Sequence, residues 1–294
     1  MISSKRIYTD NFPEFRLDQE KLIQLQKKLL DMFTEVKDVF DKYEIDYMMS
    51  GGTLLGTIRH QGFIPWDDDI DLMMTRDEYL KFKNVFDKEL GKKYILAEPL
   101  SDSLYVSKMP KIFLKNTTYI EIPTAGIDKF HMLFIDLFIV ENIPGPGFKR
   151  MISSIIYDFS FKGASVCCDY LYPSPPILKK QETNEEIKKY YSKRRRLGCV
   201  FSHIGGLKFY LKIVDRIASK FKETGWKAVP SAISYNREVF EAEVYTKLTT
   251  GSFCGLNVKI PFYYDKYLKN LYGDYMQIPA EDKREVHAAY KISI

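Results

Sequence analysis

The chain has 294 residues, 45% hydrophobic and 15% aromatic, and its 44 Lys and Arg against 39 Asp and Glu give a formal charge of +5. Such a composition builds an ordinary globular core, and a modest charge spread along the chain argues against a dedicated nucleic-acid binder while suiting anionic substrates or anionic lipid surfaces. The four cysteines, Cys167, Cys168, Cys199 and Cys254, lack CxxC spacing, which argues against a zinc site or a disulfide framework and fits reduced thiols in the cytosol.

Met1 to Arg6 lead into charged residues without an apolar leader, and no run of about 18 uncharged apolar residues occurs. The expectation is a cytoplasmic protein without a membrane span. From Arg16 to Tyr43 the apolar residues recur at steps of three and four, among them Leu22, Leu25, Leu29, Met32, Val36 and Phe40, which predicts a long amphipathic helix. Ile45 to Ser50 predicts a short buried strand that delivers the chain to Gly51 and Gly52. Thr53 is placed to cap a helix over Leu54 to His60, with Arg59 and His60 at its end. Gly62 and Pro65 then make a turn that ends at Trp66, whose expected role is to anchor that turn in the core, with ligand stacking as the alternative.

From Asp69 to Met74 the alternation suits a strand on which Asp69 and Asp71 share a face, with Asp67 joining them from the turn and Asp68 pointing away. A helix over Arg76 to Leu90 ends at Gly91. Short extended segments are expected at Tyr94–Leu96, Leu104–Lys108 and Lys111–Leu114, followed by a strongly apolar strand over Met132–Val140 in which Asp136 is the one charged residue. A carboxylate there is costly to desolvate unless it is paired or metal-bound. A soft boundary at Gly147 divides residues 1–147, the catalytic core, from residues 148–294, a mostly helical region packed with it as one unit. That region holds helices over Phe148–Cys168, Asn184–Leu197 and Leu207–Phe221, a proline-rich loop over Tyr170–Pro176, a strand over Cys254–Pro261 and a short helix ended by Gly273. The fold class is α+β, a mixed sheet core flanked by helices with an added helical C-terminal region.

Asp67, Asp69, Asp71 and Asp136 together repel one another unless a divalent cation sits among them, and all-oxygen ligands favour Mg²⁺ or Mn²⁺ over zinc. An exposed acidic turn is the simpler account of the Asp67–Asp69 triplet alone. The upstream glycine pair and the buried-strand Asp136 weigh against it.

This constellation resembles the nucleotidyltransferase superfamily, with a Gly-Gly after the first strand, an acidic pair on the next and a third carboxylate on a later strand. The run from Gly51 through His60 to Leu72 resembles more closely the signature of the LicD family, which includes fukutin-related protein. The likeness continues in Lys111–Thr117, Ile135–Phe138 and from Ile260 to Tyr275, and is loose over Met151–Val244. The resemblance implies a metal-dependent phosphotransferase that moves a phospho-alcohol, phosphocholine from CDP-choline in the leading case, onto a sugar of a teichoic acid, lipopolysaccharide or capsular polysaccharide precursor, releasing CMP. It further implies Asp69 and Asp71 as metal ligands, Asp67 as an additional ligand, and Asp136 as a ligand and base. Gly51, Gly52 and Thr53 become donors to the diphosphate, and Arg59 balances charge on CMP. His60 and Lys111 are substrate-binding candidates. Lys108 and Lys111, placed near the sheet edge, are expected either to reach a phosphate or to stand solvated.

CDP-ribitol, CDP-glycerol and CDP-ethanolamine are alternative donors. A true nucleotidyltransferase and a non-catalytic scaffold of glycan assembly are the rival functions. A choline donor calls for an aromatic cage, for which Tyr157, Phe159, Phe161, Tyr170 and Tyr172 are the clustered candidates. The apolar helix from Ile152 to Val166 and the basic run Lys193–Arg196 suggest peripheral membrane contact near a lipid-linked acceptor, against the simpler account of a buried helix and a solvated charged face.

Overall fold

The structure is a computed structural model that describes residues 7, 10–284 and 288–294. The charged N-terminal hexapeptide Met1 to Arg6 lies outside the described residues. Helix α1, Gln19–Lys42, starts where the Asp18 side chain accepts a hydrogen bond from Lys21 N at 2.8 Å, and it buries the expected stripe from Leu22 to Phe40. Strand β1, Met48–Met49, follows, and helix α2, Gly51–His60, springs directly from it. Strand β2, Asp71–Thr75, leads into helix α3, Arg76–Glu89, which the Thr75 hydroxyl caps.

The next strands are β3, Tyr94–Ala97, β4, Lys111–Leu114, β5, Thr118–Glu121, and β6, Phe134–Asn142. A helical layer comes after them: α4, Phe148–Leu171, α5, Pro175–Lys180, α6, Glu185–Ile204, and α7, Gly206–Ala218. The chain then returns to the sheet through β7, Trp226–Ala228, β8, Val239–Glu241, α8, Glu243–Thr246, the hairpin β9, Leu248–Phe253, with β10, Leu256–Pro261, helix α9, Tyr264–Tyr272, and β11, Ala289–Ser293.

The central sheet runs β1-β2-β6-β4-β3, with β7 on the far end of β6 and β8 beyond it. β2 and β6 are parallel; the other pairs in this sheet are antiparallel. The architecture is therefore α+β, a mixed sheet flanked by helices. Its main core draws on both sides of residue 147, since Phe253, Val258, Ile260, Tyr267 and Leu268 pack with the inner faces of α1 and β2.

Several elements differ from the sequence expectation for local reasons. α2 begins at Gly51 rather than Leu54, with Ser50 at the N-cap position, because Thr53 has its hydroxyl turned inward instead of capping. Asp69 precedes β2 rather than belonging to it. Leu104–Lys108 is a loop, held by Asp102 accepting from Leu104 N at 2.8 Å and by the Tyr105 hydroxyl donating to Met109 O at 2.6 Å. The proline-rich stretch is a loop only briefly: α4 runs on to Leu171, and Pro175 and Pro176 open α5, where a missing N–H costs nothing.

Candidate functional site

Three neighbouring strands set polar residues in one row across the sheet. Asp136 in β6 is the register partner of Asp71 in parallel β2 and of Lys111 in antiparallel β4. Residues paired across a sheet project to the same face, so an acid, a second acid and a base stand side by side. Lys111 was expected near the sheet edge. β4 instead lies between β6 and β3, and that interior position is why its ammonium is buried.

The second wall is the N-terminus of α2. A Cβ on Gly52 would lie 2.9 Å from Asp67 Oδ2, and one on Gly51 would lie 3.2 Å from Asp71 Oδ2. Gly51 also has φ +49, a conformation that side-chain-bearing residues rarely adopt. The glycine pair therefore lets two carboxylates close on the positive end of the helix, where its dipole favours negative charge. Thr53 Oγ1 accepts from Asp71 N at 2.8 Å, so this buried hydroxyl aligns β2, while the backbone of Thr53 lies in the first turn of α2 with Gly51 and Gly52. Ser50 N donates to Asp71 O at 3.0 Å, and Gln26 of α1 donates to Asp67 O at 2.8 Å, so both acids have pinned backbones.

Carboxylate oxygens of Asp67, Asp68 and Asp69 all lie within 4.8 Å of one another. Asp68 was expected to point away from its neighbours. Residues 67–70 are not in a strand, so alternation does not apply, and Asp68 is the most buried of the three at 4% exposure. Its Oδ2 accepts from the Tyr119 hydroxyl at 2.6 Å.

Lys111 Nζ lies 3.1 Å from Asp136 Oδ1 and 3.6 Å from Glu121 Oε2, and 3.4 Å above the Phe134 ring. Asp136 Oδ1 is buried and makes no well-angled hydrogen bond, so this contact is an ion pair without full polar satisfaction. Burial pushes the Asp136 carboxyl up to about 6, Lys111 working against the rise and the Glu121 and Asp69 charges adding to it. For Lys111 burial works downward, yet the Asp136 and Glu121 charges outweigh it and raise the ammonium above its usual value.

Arg59 and His60 close on each other and on the C-terminal segment. Arg59 Nε donates to His60 Nε2 at 2.9 Å, while Nη1 donates to the backbone oxygens of Tyr275 and Gln277 at 2.7 and 3.3 Å. Burial, then the Arg59 charge, lowers the His60 pKa, consistent with a neutral acceptor ring. Trp66 packs on the core, with the Arg284 guanidinium 4.3 Å from its ring centroid.

The sequence reading missed Tyr272, Tyr119 and Glu121. The Tyr272 hydroxyl would be 3.8 Å from a Gly51 Cβ; burial and then the charges of Asp71 and Asp67 raise its pKa. The residue as a whole is exposed, with its hydroxyl turned toward Gly51. The likeness from Ile260 to Tyr275 was the one signal that marked this segment, and it named no role.

Beside Lys111 a cavity of about 310 Å³ opens, with Tyr105, Phe113, Tyr119, Phe130, Phe134 and Tyr172 among its aromatic lining. Phe130 holds φ +63, and its ring stands 5.1 Å from that of Tyr105 and 5.5 Å from that of Phe113. Strain of this kind in a bulky residue collects at ligand sites. Of the five aromatic candidates from the sequence, Tyr172 alone is in this lining. Tyr157 is buried against Tyr235, Phe159 faces outward, the Phe161 ring carries Lys108 Nζ at 3.4 Å, and Tyr170 packs beside Gly198. Neighbours on one helix fan out around its axis, so sequence proximity does not gather them. Lys108 is half-buried between this cavity and a smaller one; burial draws its pKa down to about 8.

The carboxylates that the structure gathers closely enough to share one ion are those of Asp67, Asp68 and Asp69, all oxygen donors that fit a hard divalent cation, while Asp71 and Asp136 stand beside each other on β2 and β6 with Asp136 paired to Lys111. Residues 44–159, which span the glycine pair, the aspartates, Lys111 and Asp136, match the family described as LicD/FKTN/FKRP, nucleotidyltransferase domain. The lipopolysaccharide cholinephosphotransferase LicD of Haemophilus influenzae is 30% identical over 280 residues, covering 92% of this chain and 95% of that protein. Uncharacterized proteins of Rickettsia typhi and Rickettsia prowazekii match over shorter stretches, 38% identical over 71 residues and 37% over 62.

Proposed function

The chain belongs to the LicD family and is a phosphotransferase of that type, and from this premise we propose that it moves phosphocholine from CDP-choline onto a sugar hydroxyl of a cell-surface glycan precursor, releasing CMP. The observation that carries the reading is the row Asp71–Asp136–Lys111 set against the glycine-opened N-terminus of α2. The lipopolysaccharide acceptor named for the Haemophilus relative supplies the acceptor class.

In this reading the acceptor oxygen forms a bond to the phosphorus that bears choline, and the bond from that phosphorus to the CMP oxygen breaks. Asp136 takes the hydroxyl proton, a role suited to a carboxyl whose pKa is pushed up to about 6. Lys111 steadies the ionised Asp136 and offers its remaining donors to a phosphate oxygen. Asp67, Asp69 and Asp71, with Asp136, would hold Mg²⁺ or Mn²⁺. A divalent cation bound there supplies positive charge to the diphosphate and the departing CMP. First-turn N–H groups at Gly51 and Gly52 face the same space, and Ser50 offers them no side-chain cap.

The aromatic cavity next to Lys111 is the place for the alcohol. The Phe134 ring in its lining, which receives Lys111 Nζ at 3.4 Å, shows that an aromatic face here accepts a cation, as a trimethylammonium group requires. The test is turnover of CDP-choline, CDP-ribitol, CDP-glycerol and CDP-ethanolamine with a lipopolysaccharide-derived oligosaccharide and Mg²⁺, followed by product mass. Addition of phosphocholine with CMP release is the expected result. A nucleotide retained on the product would replace this reading with nucleotidyl transfer, and preference for CDP-ribitol or CDP-glycerol would move the donor assignment.

A further inference from the structure

The N-terminal half of helix α4 is largely inside out. Its buried positions include Ser153, Ser154 and Ser160 with Tyr157 as the one large side chain, whereas Phe148, Met151, Ile152, Ile155 and Phe159 are exposed; Gly163, Ala164, Val166 and Cys167 are buried farther along. Those outward positions are spaced three and four apart, one continuous stripe along the helix. The sequence offered a buried helix as the simpler account; the reversal follows from packing. A Cβ on Gly163 would sit 2.7 Å from the Phe201 ring, and one on Gly198 would sit 2.0 Å from Val166 O, so small residues are what allow α4 and α6 to press together. The large side chains are left outside.

The stripe is part of a wider face. α6 exposes Leu197, Val200 and Ile204 at steps of three and four, and α7 exposes Phe209 just past the bend of 82° between the two helices. Phe159, Phe201, Tyr210 and Phe209 join the three helices through ring contacts of 5.2 to 5.3 Å. Exposures of 58% for Ile155 and 72% for Phe148 and Ile204 are far above what side chains of this kind keep in a core. Isolated exposed apolar residues need no explanation, but a face continuous over three helices does.

Each stripe ends in cations at the same spacing. Lys162 continues that of α4, Lys193 and Arg196 begin that of α6, and Lys212 and Arg216 follow Phe209 on α7; all five are exposed. Of the acidic residues nearby, Asp158 accepts from Tyr235 N at 2.9 Å and Asp215 lies 3.9 Å from Arg76. No single helix among the described residues is long and apolar enough to cross a membrane. We propose that the α4–α6–α7 face docks onto an anionic phospholipid surface, apolar side chains entering the acyl boundary and the flanking Lys and Arg pairing with headgroup phosphates. The same helices supply Ser165, Asp169 and Arg194 to the cavity beside Lys111. Phe159 and Ser165 are six residues apart on α4, about 9 Å along its axis, so docking holds the cavity close to the lipid headgroups.

The test is sedimentation with vesicles of equimolar phosphatidylglycerol and phosphatidylethanolamine against vesicles of phosphatidylcholine, a readout that needs no turnover. Binding to the anionic vesicles, weakened by salt, is expected. Ile155→Ser with Ile204→Ser should weaken it at least about tenfold, from lost apolar burial, while thermal unfolding and turnover of a water-soluble acceptor stay unchanged. Lys212→Glu with Arg216→Glu provides a second variant that leaves the apolar stripe intact and should also release the protein. Failure to bind either vesicle overturns the proposal. So does a dimer in light scattering that the serine variant dissolves, because the face would then meet a second copy of the chain.

Discussion

Two regions of this molecule break the usual division between inside and outside, and they do so in opposite directions. At the N-terminus of α2, charged groups are drawn in: Asp68, Lys111 and Asp136 are all buried. On α4, serines are drawn in and isoleucines are left out. A surplus of buried charge is tolerated when a ligand of opposite charge completes it, and a surplus of exposed apolar surface when an apolar phase covers it. Each region is thus unfinished as a protein surface, and the kind of imbalance indicates the kind of partner.

Substitutions that separate these two imbalances should differ by orders of magnitude in what they disturb. Asp71→Asn should lower phosphotransfer by about a thousandfold or more, the scale of losing a main electrostatic element of a site, while the protein stays folded and loses part of its stabilisation by Mg²⁺. Unchanged turnover of the purified variant would remove Asp71 from the chemistry. Thermal shift should report Mg²⁺ stabilisation that is larger at pH 8 than at pH 5, since protons compete with the ion for Asp136, whose carboxyl is pushed up to about 6. An equal shift at both values would argue that the ion binds elsewhere.

Stability draws the next contrast. Leu29→Ala, in the fully buried stripe of α1, should cost about 3 kcal/mol in chemical denaturation, whereas Ile155→Ala on α4 should stay within about 0.5 kcal/mol. A large loss at Ile155 would show that its side chain supports the fold from outside.

Behind the glycine pair, Glu238 accepts from the Tyr267 hydroxyl at 2.7 Å, and that hydroxyl lies 3.3 Å from Ser50 Oγ. Burial pushes Glu238 up to about 7, with the Tyr267 hydrogen bond opposing. A carboxyl raised in the folded state contributes stability that is complete below its unfolded value and is lost as pH rises through about 7. Glu238→Gln removes that dependence. Between about pH 4.5 and 7 the wild type should therefore lose up to roughly 3 kcal/mol relative to the variant, read from denaturation midpoints across pH. A parallel pair of curves would contradict the buried, protonated state.

The smallest effect expected is at the cavity. Phe130→Gly removes a ring while relieving a left-handed backbone, so KM for CDP-choline should rise about fivefold, on the scale of one cation–π contact, with little change in melting temperature. No change in KM would separate the cavity from the alcohol.

Much of this was legible in the chain itself. The spacing of Leu25, Leu29, Met32 and Val36 makes α1 by itself, because helical periodicity is a local property. The glycine pair, the Asp67–Asp71 run and the lone Asp136 marked the site, because buried charge has few structural uses. Local reasoning failed where neighbours from distant segments decide. Thr53 looked like a cap, but its hydroxyl accepts from Asp71 N, 18 residues on. Alternation turned Asp68 away from its neighbours, but Tyr119, 51 residues away, holds its carboxylate among them.

The sequence alone, then, determined the family, the acids and the long helices, since each is written in consecutive residues and their periods. Only the tertiary structure decided that Lys111 stands inside the sheet beside Asp136, and that α4 turns its oil outward. Both depend on which surfaces meet: strand order places β4 against β6, and close approach at Gly163 and Gly198 leaves no room for large side chains between the helices.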